Sequence, residues 1–123
     1  MFNYNYYIYI LTNKNKTVLY TGVTRDLELR VWQHRTKVHK KSFTARYNVD
    51  RLVYYEHFNH ILEAIAREKQ IKAGSRAKKE KLINQENPNW DDLTAHWYDN
   101  WITEEEYNRR EKLLLEAGEQ FEG

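Results

Sequence analysis

A chain of 123 residues with 41% hydrophobic and 31% charged residues, four Gly and one Pro fits a single packed core and is not collagenous, low-complexity or disordered. It has no Cys, which excludes disulfides, thiolate zinc sites and a cysteine nucleophile. The net charge of +2 hides a segregation, because residues 25–81 hold fifteen basic against seven acidic side chains and residues 82–123 hold three against eleven.

A basic middle attracts polyanions, since each neutralised phosphate releases condensed counterions, although a solvated basic face has the same composition. The acidic end either serves solubility, folds over the basic surface or meets another subunit. The start, Met1–Asn5, lacks the basic residues and apolar run of a signal peptide, and the apolar stretch Tyr6–Leu11 is far too short to span a membrane. Together with the absence of Cys, this reads as a cytoplasmic protein without a membrane partner.

In chain order, Tyr6–Leu11 and Thr17–Val23, rich in aromatic and β-branched residues and separated by Asn13–Lys16, predict a β-hairpin. Thr24 or Asp26 caps a helix to about Thr36, with Leu27, Leu29 and Val31 starting its apolar stripe. Residues 38–50 read as a polar, basic loop, and Arg51–Phe58 as a third strand. Asn59 is the expected cap of a second helix over His60–Ala73, ended by Gly74. Ser75 caps a third helix to about Asn84, broken by Asn87-Pro88. Beyond it, Trp90, Leu93, Trp97 and Trp101 recur at helical spacing, and Thr103 with Glu106 forms a capping box for a last helix to about Ala117. The order ββαβαα with a helical appendage predicts an α+β fold, a small sheet with helices against it.

Some residues resist a purely structural reading. Glu68 falls in the stripe of Ile61, Ala64, Ile65 and Ile71, where an ionised carboxylate needs compensation. Either an Arg such as Arg30 pairs with it, or it holds a hard divalent cation such as Mg²⁺ alongside water and phosphate oxygens. Arg30 and His34, four residues apart, share a helix face off the apolar stripe. The guanidinium matches phosphate oxygens and the imidazole can relay a proton, although an ordinary solvated face would carry the same pair. Tyr9 and Tyr20 sit on adjacent strands, where their hydroxyls can converge, and Gly22 permits close approach or marks a bend. There is no Walker loop, no Ser-His-Asp or metalloprotease pattern, and no zinc spacing among the His residues.

Taken together, Tyr7-Ile8-Tyr9, Tyr20-Thr21-Gly22-Val23-Thr24, Asp26-Leu27 with Arg30 and His34, and Glu68 within Arg67–Lys72 resemble the GIY-YIG nuclease superfamily, in its small single-domain bacterial, URI-type branch. The resemblance runs from residue 6 to about 93 and takes in Phe43–Asn48, Leu52–Glu56 and Asn87–Trp90, with Tyr7 in the place of the family's Gly and Thr21 in that of its Ile. It implies a three-stranded mixed sheet flanked by helices, with residues 1–93 as the nuclease-like domain and 94–123 as an acidic appendage of the same folding unit. It further implies Mg²⁺- or Mn²⁺-dependent hydrolysis of phosphodiesters in nucleic acid, DNA being the expected substrate. Matched to the family pattern, Tyr9 and Tyr20 would activate and orient water or phosphate. Arg30 would stabilise phosphate charge, His34 would move a proton and Glu68 would hold the metal. Arg25, Lys40, Lys41, Arg46, Lys72 and Arg76 are the candidates for contacting the nucleic-acid backbone. The alternatives are a binding module that keeps the scaffold without turnover, Tyr7 crowding the site, and an interaction protein that uses Trp97, Trp101 and Leu113–Leu115 as a partner surface.

Overall fold

Each face of the central strand is apolar, and the rest of the fold covers both. In this computed structural model, which describes residues 5–121, β1 (Tyr6–Thr12) turns Ile8 and Ile10 to one side and Tyr9 and Leu11 to the other. The start of the chain, read above for a leader, lies largely outside the described residues. Asn13 closes the hairpin: its Oδ1 accepts from the N–H groups of Thr17 (2.8 Å) and Val18 (3.2 Å), and β2 (Leu19–Thr24) then runs back antiparallel.

α1 (Leu27–Thr36) returns the chain along the sheet, so β3 (Arg51–Phe58) enters with the direction of β2 but beside β1. The strand order is therefore β2-β1-β3 and both pairings are antiparallel. The α+β class stands, whereas the expected mixed sheet does not, because β2 and β3 are parallel to one another but never adjacent. α3 (Ile61–Ala73) and α4 (Arg76–Glu86) cover the Ile8/Ile10 face with Ala64, Ile71 and Ile83. α1 covers the other face with Leu27 and Val31, joined by Val49 and Leu52.

The caps explain the helix starts. Asp26 Oδ1 accepts from Leu29 N (3.1 Å), Ser75 Oγ from Lys78 N (3.2 Å), and Thr103 Oγ1 from Glu106 N (3.2 Å) at the head of α5 (Glu104–Glu116). α3 departs from expectation: His60, not Asn59, is its N-cap residue and no side chain caps it. The segment read as a plain loop holds one short helix, α2 (Phe43–Arg46), started by Ser42 Oγ accepting from Ala45 N (3.2 Å).

The aromatic segment after Pro88 is not helical. Asn87 bonds the Val53 and Asp91 carbonyls (3.1 and 2.8 Å), Leu93 N donates to Leu52 O (2.8 Å), and Asp92 takes the Thr94 N–H (3.0 Å), so backbone groups that a helix would use are spent elsewhere. Its rings still turn inward: Trp32 of α1 meets Tyr98 (5.2 Å between centroids) and Trp101 (5.4 Å), and Trp97 packs on the core. Trp97 and Trp101 thus pack against the rest of the chain, while Leu113 and Leu115 remain exposed. No helix among the described residues is long and apolar enough to cross a membrane.

Candidate active site

The hairpin register sets the two tyrosines. Tyr9 lies opposite Gly22 and Tyr20 opposite Leu11, so the two are diagonal neighbours on the α1 side of the sheet, with ring centroids 6.2 Å apart. The Tyr9 ring lies directly across Gly22: a Cβ at position 22 would stand 2.5 Å from Tyr9 Cζ and Oη. Glycine here serves close approach, not a bend.

α1 brings Arg30 and His34 to the same place, both buried at 5% and 2% exposure, so neither belongs to a solvated face. His34 Nε2 lies 3.1 Å from Tyr9 Oη and Nδ1 lies 2.7 Å from Thr44 Oγ1 of α2. Burial, and then the charges of Arg30 and His39, push its pKa down from 6.5 to about 3, so the imidazole is neutral at neutral pH. A neutral ring donates through one nitrogen and accepts through the other, and both of its neighbours are hydroxyls able to take either part. Arg30 donates from Nε to Glu119 (2.6 Å) and from Nη1 to Gln33 Oε1 (2.6 Å), and Gln33 in turn donates to Tyr107 Oη (3.1 Å).

Tyr9, Tyr20 and Arg30 wall a cavity of about 300 Å³, closed by Ile61 and Ile65 of α3 and by Phe121. Glu68 lies on the buried side of α3, 9% exposed and one turn beyond Ile65, but it is not among the walls of that cavity. Its compensation is Lys72 Nζ at 2.8 Å, not the expected Arg30, which is held by Glu119. Among the described residues no three His, Cys, Asp or Glu side chains cluster so as to hold a metal ion, and Glu68 stands as a single carboxylate paired with Lys72. A single carboxylate is the type of donor that Mg²⁺ or Mn²⁺ takes alongside waters and phosphate oxygens, and at Glu68 such a cation would compete with the Lys72 ammonium.

The backbone-contact candidates fall into two groups. Lys40, Lys41 and Arg46 are exposed around α2, beside His34's partner Thr44, and Arg25 lines the cavity. Arg76, by contrast, donates to the carbonyls of Thr17 (3.0 Å) and Lys16 (2.6 Å) and to Glu80, tying α4 to the hairpin, and Lys72 is engaged by Glu68. Tyr7 packs on Tyr55 (6.3 Å) and His57 (5.2 Å) and does not wall the cavity, so it does not crowd the tyrosines. Sequence reasoning missed Thr44, Gln33, Glu119 and Phe121. Only Thr44 lay within a quoted motif, and none has a spacing that would betray its contact.

Comparison with known proteins gives the family. The sequence model of the family described as "GIY-YIG catalytic domain" matches residues 5–84. A UPF0213 protein of Natronomonas pharaonis is 40% identical over 67% of this chain and 94% of its own length. One of Staphylococcus saprophyticus is 42% identical over 65% of this chain and 95% of its own length. The solution structure of a UPF0213 protein from Bacillus halodurans is similar at 30% identity and a TM-score of 0.47, covering 75% of this chain and 97% of that one. The paired tyrosines across Gly22, the Arg30/His34 face and the matched span lead to one conclusion: the chain belongs to the GIY-YIG family, a family of nuclease type, and is a relative of its small UPF0213 members.

Proposed function

We propose that the protein is a divalent-metal-dependent endonuclease that hydrolyses phosphodiester bonds in nucleic acid, with DNA as its substrate, in a reducing cytoplasm. The observation that carries this reading is the chain of contacts Tyr9–His34–Thr44, which meets at Tyr9 the cavity that Tyr20 and Arg30 also wall. Residues 1–93 are assigned to the nuclease domain and 94–123 to an appendage of the same folding unit.

A phenol of ordinary pKa about 10 is a poor base, but it need not ionise if it passes its own proton on as it takes another. Tyr9 Oη donates to the neutral Nε2 of His34 in the tautomer whose Nδ1–H points to Thr44. A water held against Tyr9 can then give its proton to the phenol oxygen while the phenol proton moves to His34. The water oxygen forms a new P–O bond in line with the bond that breaks, the leaving oxygen takes up a proton from bulk water, and His34, a weak base, gives its extra proton back to solvent. Arg30 offsets the charge that grows on the phosphate oxygens, and Tyr20 orients water or phosphate from the neighbouring strand. Glu68 would hold the divalent cation, whose chemistry there is Lewis-acid polarisation of a phosphate oxygen. Lys40, Lys41, Arg46 and Arg25 steer the backbone toward the cavity.

The test is cleavage of single-stranded, duplex and branched DNA in Mg²⁺ or Mn²⁺ by the parent and by Glu68→Ala. The variant is expected to lose cleavage by roughly 10²-fold or more while keeping its fold, because an apolar residue suits its place between Ala64 and Ile71. Parental rates in Glu68→Ala, or equal rates with the metal chelated, would overturn the proposal.

A further inference from the structure

The strongest charge contact of the cavity is made by the protein's own chain. α5 ends in a reversal in which Glu119 N donates to Leu114 O (3.0 Å) and Gly118 N to Leu115 O (3.0 Å), with Gly118 at φ +80°. This turn aims Glu119 back at α1. Its Oε2 accepts from Arg30 Nε (2.6 Å) and Thr24 Oγ1 (2.9 Å), and its Oε1 from the Arg25 backbone N–H (2.9 Å). Two residues on, the Phe121 ring stacks on His39 at 4.0 Å, sits 4.6 Å from His34 and lies under the Arg30 guanidinium at 5.4 Å.

The chemistry of these donors is not specific to a carboxylate. A guanidinium, a backbone N–H and a hydroxyl converging on two oxygens of one anion form the donor set that holds the non-bridging oxygens of a phosphodiester. An aromatic ring stacked beside such an anion stands where a nucleobase would. Arg30, being buried, needs an anion whenever the cavity is closed, so tail and substrate exchange for one another instead of coexisting. The family match ends at residue 84, so α5 and this tail lie outside the part shared with the family.

We propose that Thr24 Oγ1, the Arg25 N–H and Arg30 form a subsite for one nucleic-acid phosphate, and that Gly118–Phe121 fills it as an internal substrate mimic that incoming nucleic acid displaces. The proposal rests on the nucleic-acid reading above but is read out through binding, not cleavage. A tail that occupies the site about nine-tenths of the time weakens apparent affinity about tenfold.

The experiment compares the full chain with Glu119→Ala/Phe121→Ala and with Glu119→Gln, using labelled single-stranded and duplex oligonucleotides at fixed salt, with inorganic phosphate alone as a separate arm. The amide signal of Arg25 and the Nε–H signal of Arg30 are followed by NMR. The double variant is expected to bind oligonucleotide about tenfold tighter, and Glu119→Gln to move the same way by less. Oligonucleotide added to the parent should shift both signals toward their positions in the double variant. Shifts with inorganic phosphate but none with oligonucleotide would overturn assignment to nucleic acid. Unchanged or weaker binding in a folded variant would overturn the mimic, and Glu119→Gln decides the matter if the double variant does not fold. Cleavage is scored apart. Tighter binding without cutting by any variant keeps the subsite and rejects the nuclease, cutting with unchanged binding does the reverse, and a chain that neither binds nor cuts rejects both.

Discussion

His34 couples folding to the proposed chemistry, because the same burial that keeps its Nε2 unprotonated, and so open to the Tyr9 proton, also makes the charged ring costly. Its folded pKa, about 3, lies below the ordinary 6.5, so the unfolded chain binds the extra proton between those values. Its contribution to stability is complete above pH 6.5 and declines as the pH falls toward 3, by an amount on the order of 3–5 kcal/mol at the limit. Denaturant unfolding measured across that window should show the decline, and His34→Gln, which cannot titrate, should flatten it. An unchanged slope in the variant would remove His34 as its source. At this scale the sequence was partly legible. The i, i+4 spacing of Arg30 and His34 and the hairpin placement of Tyr9 and Tyr20 were readable because local geometry fixes them. The oddity of Glu68 was readable too, but its partner was not: an ammonium one turn along the same helix pairs with it, while the guanidinium on α1 is committed to Glu119. Thr44 and Glu119 meet α1 across separations of 10 and 89 residues, and such contacts leave no period in a sequence.

Among the elements, α1 is held at its head by a residue with two tasks. Asp26 caps the helix through Leu29 N and receives Arg110 of α5, whose Nε donates to Oδ2 at 2.7 Å, both side chains being 18% exposed. Asp26→Ala is expected to cost about 1–3 kcal/mol, the sum of a lost cap and a partly screened ion pair. A double-mutant cycle with Arg110→Ala should return a coupling of at least about 0.5 kcal/mol from thermal unfolding, and strict additivity would show that α5 is not anchored there. Elements bounded by capping residues were the legible ones, since Asp26, Ser75 and Thr103 announce helix starts. The segment Trp90–Trp101 misled because its rings pack on separate partners, Trp90 on the Ile8/Ile10 core and Trp101 on Trp32 of α1, whereas its backbone is governed by Asn87 and Asp92. Strand direction was not legible either, because it depends on which edge of the hairpin β3 joins.

For the molecule as a whole, the segregation of charge along the sequence becomes a segregation in space that is only partial. The two segments meet through Glu119 of the acidic end on Arg30 of the basic middle and, with the signs reversed, through Arg110 on Asp26 and Glu28. The basic side chains around α2 stay outside those pairs. Nucleic-acid affinity should therefore fall with salt, and replacing both Lys40 and Lys41 by Ala should lower the magnitude of the log–log slope by roughly two on duplex DNA. Arg76→Ala, removing a side chain already spent on hairpin carbonyls and Glu80, should leave the slope unchanged. Equal slopes in all three proteins would put the polyanion elsewhere.

The thirteen residues of α5, between the Thr103 cap and the Gly118 reversal, act as a spacer with a phase. One residue more or less within it would rotate everything that follows by about 100° and move it by about 1.5 Å, carrying Glu119 off the guanidinium without altering any residue of the cavity. Length differences in a helix remote from the chemistry, usually dismissed as surface drift, would in this protein decide whether the pocket is self-filled or open.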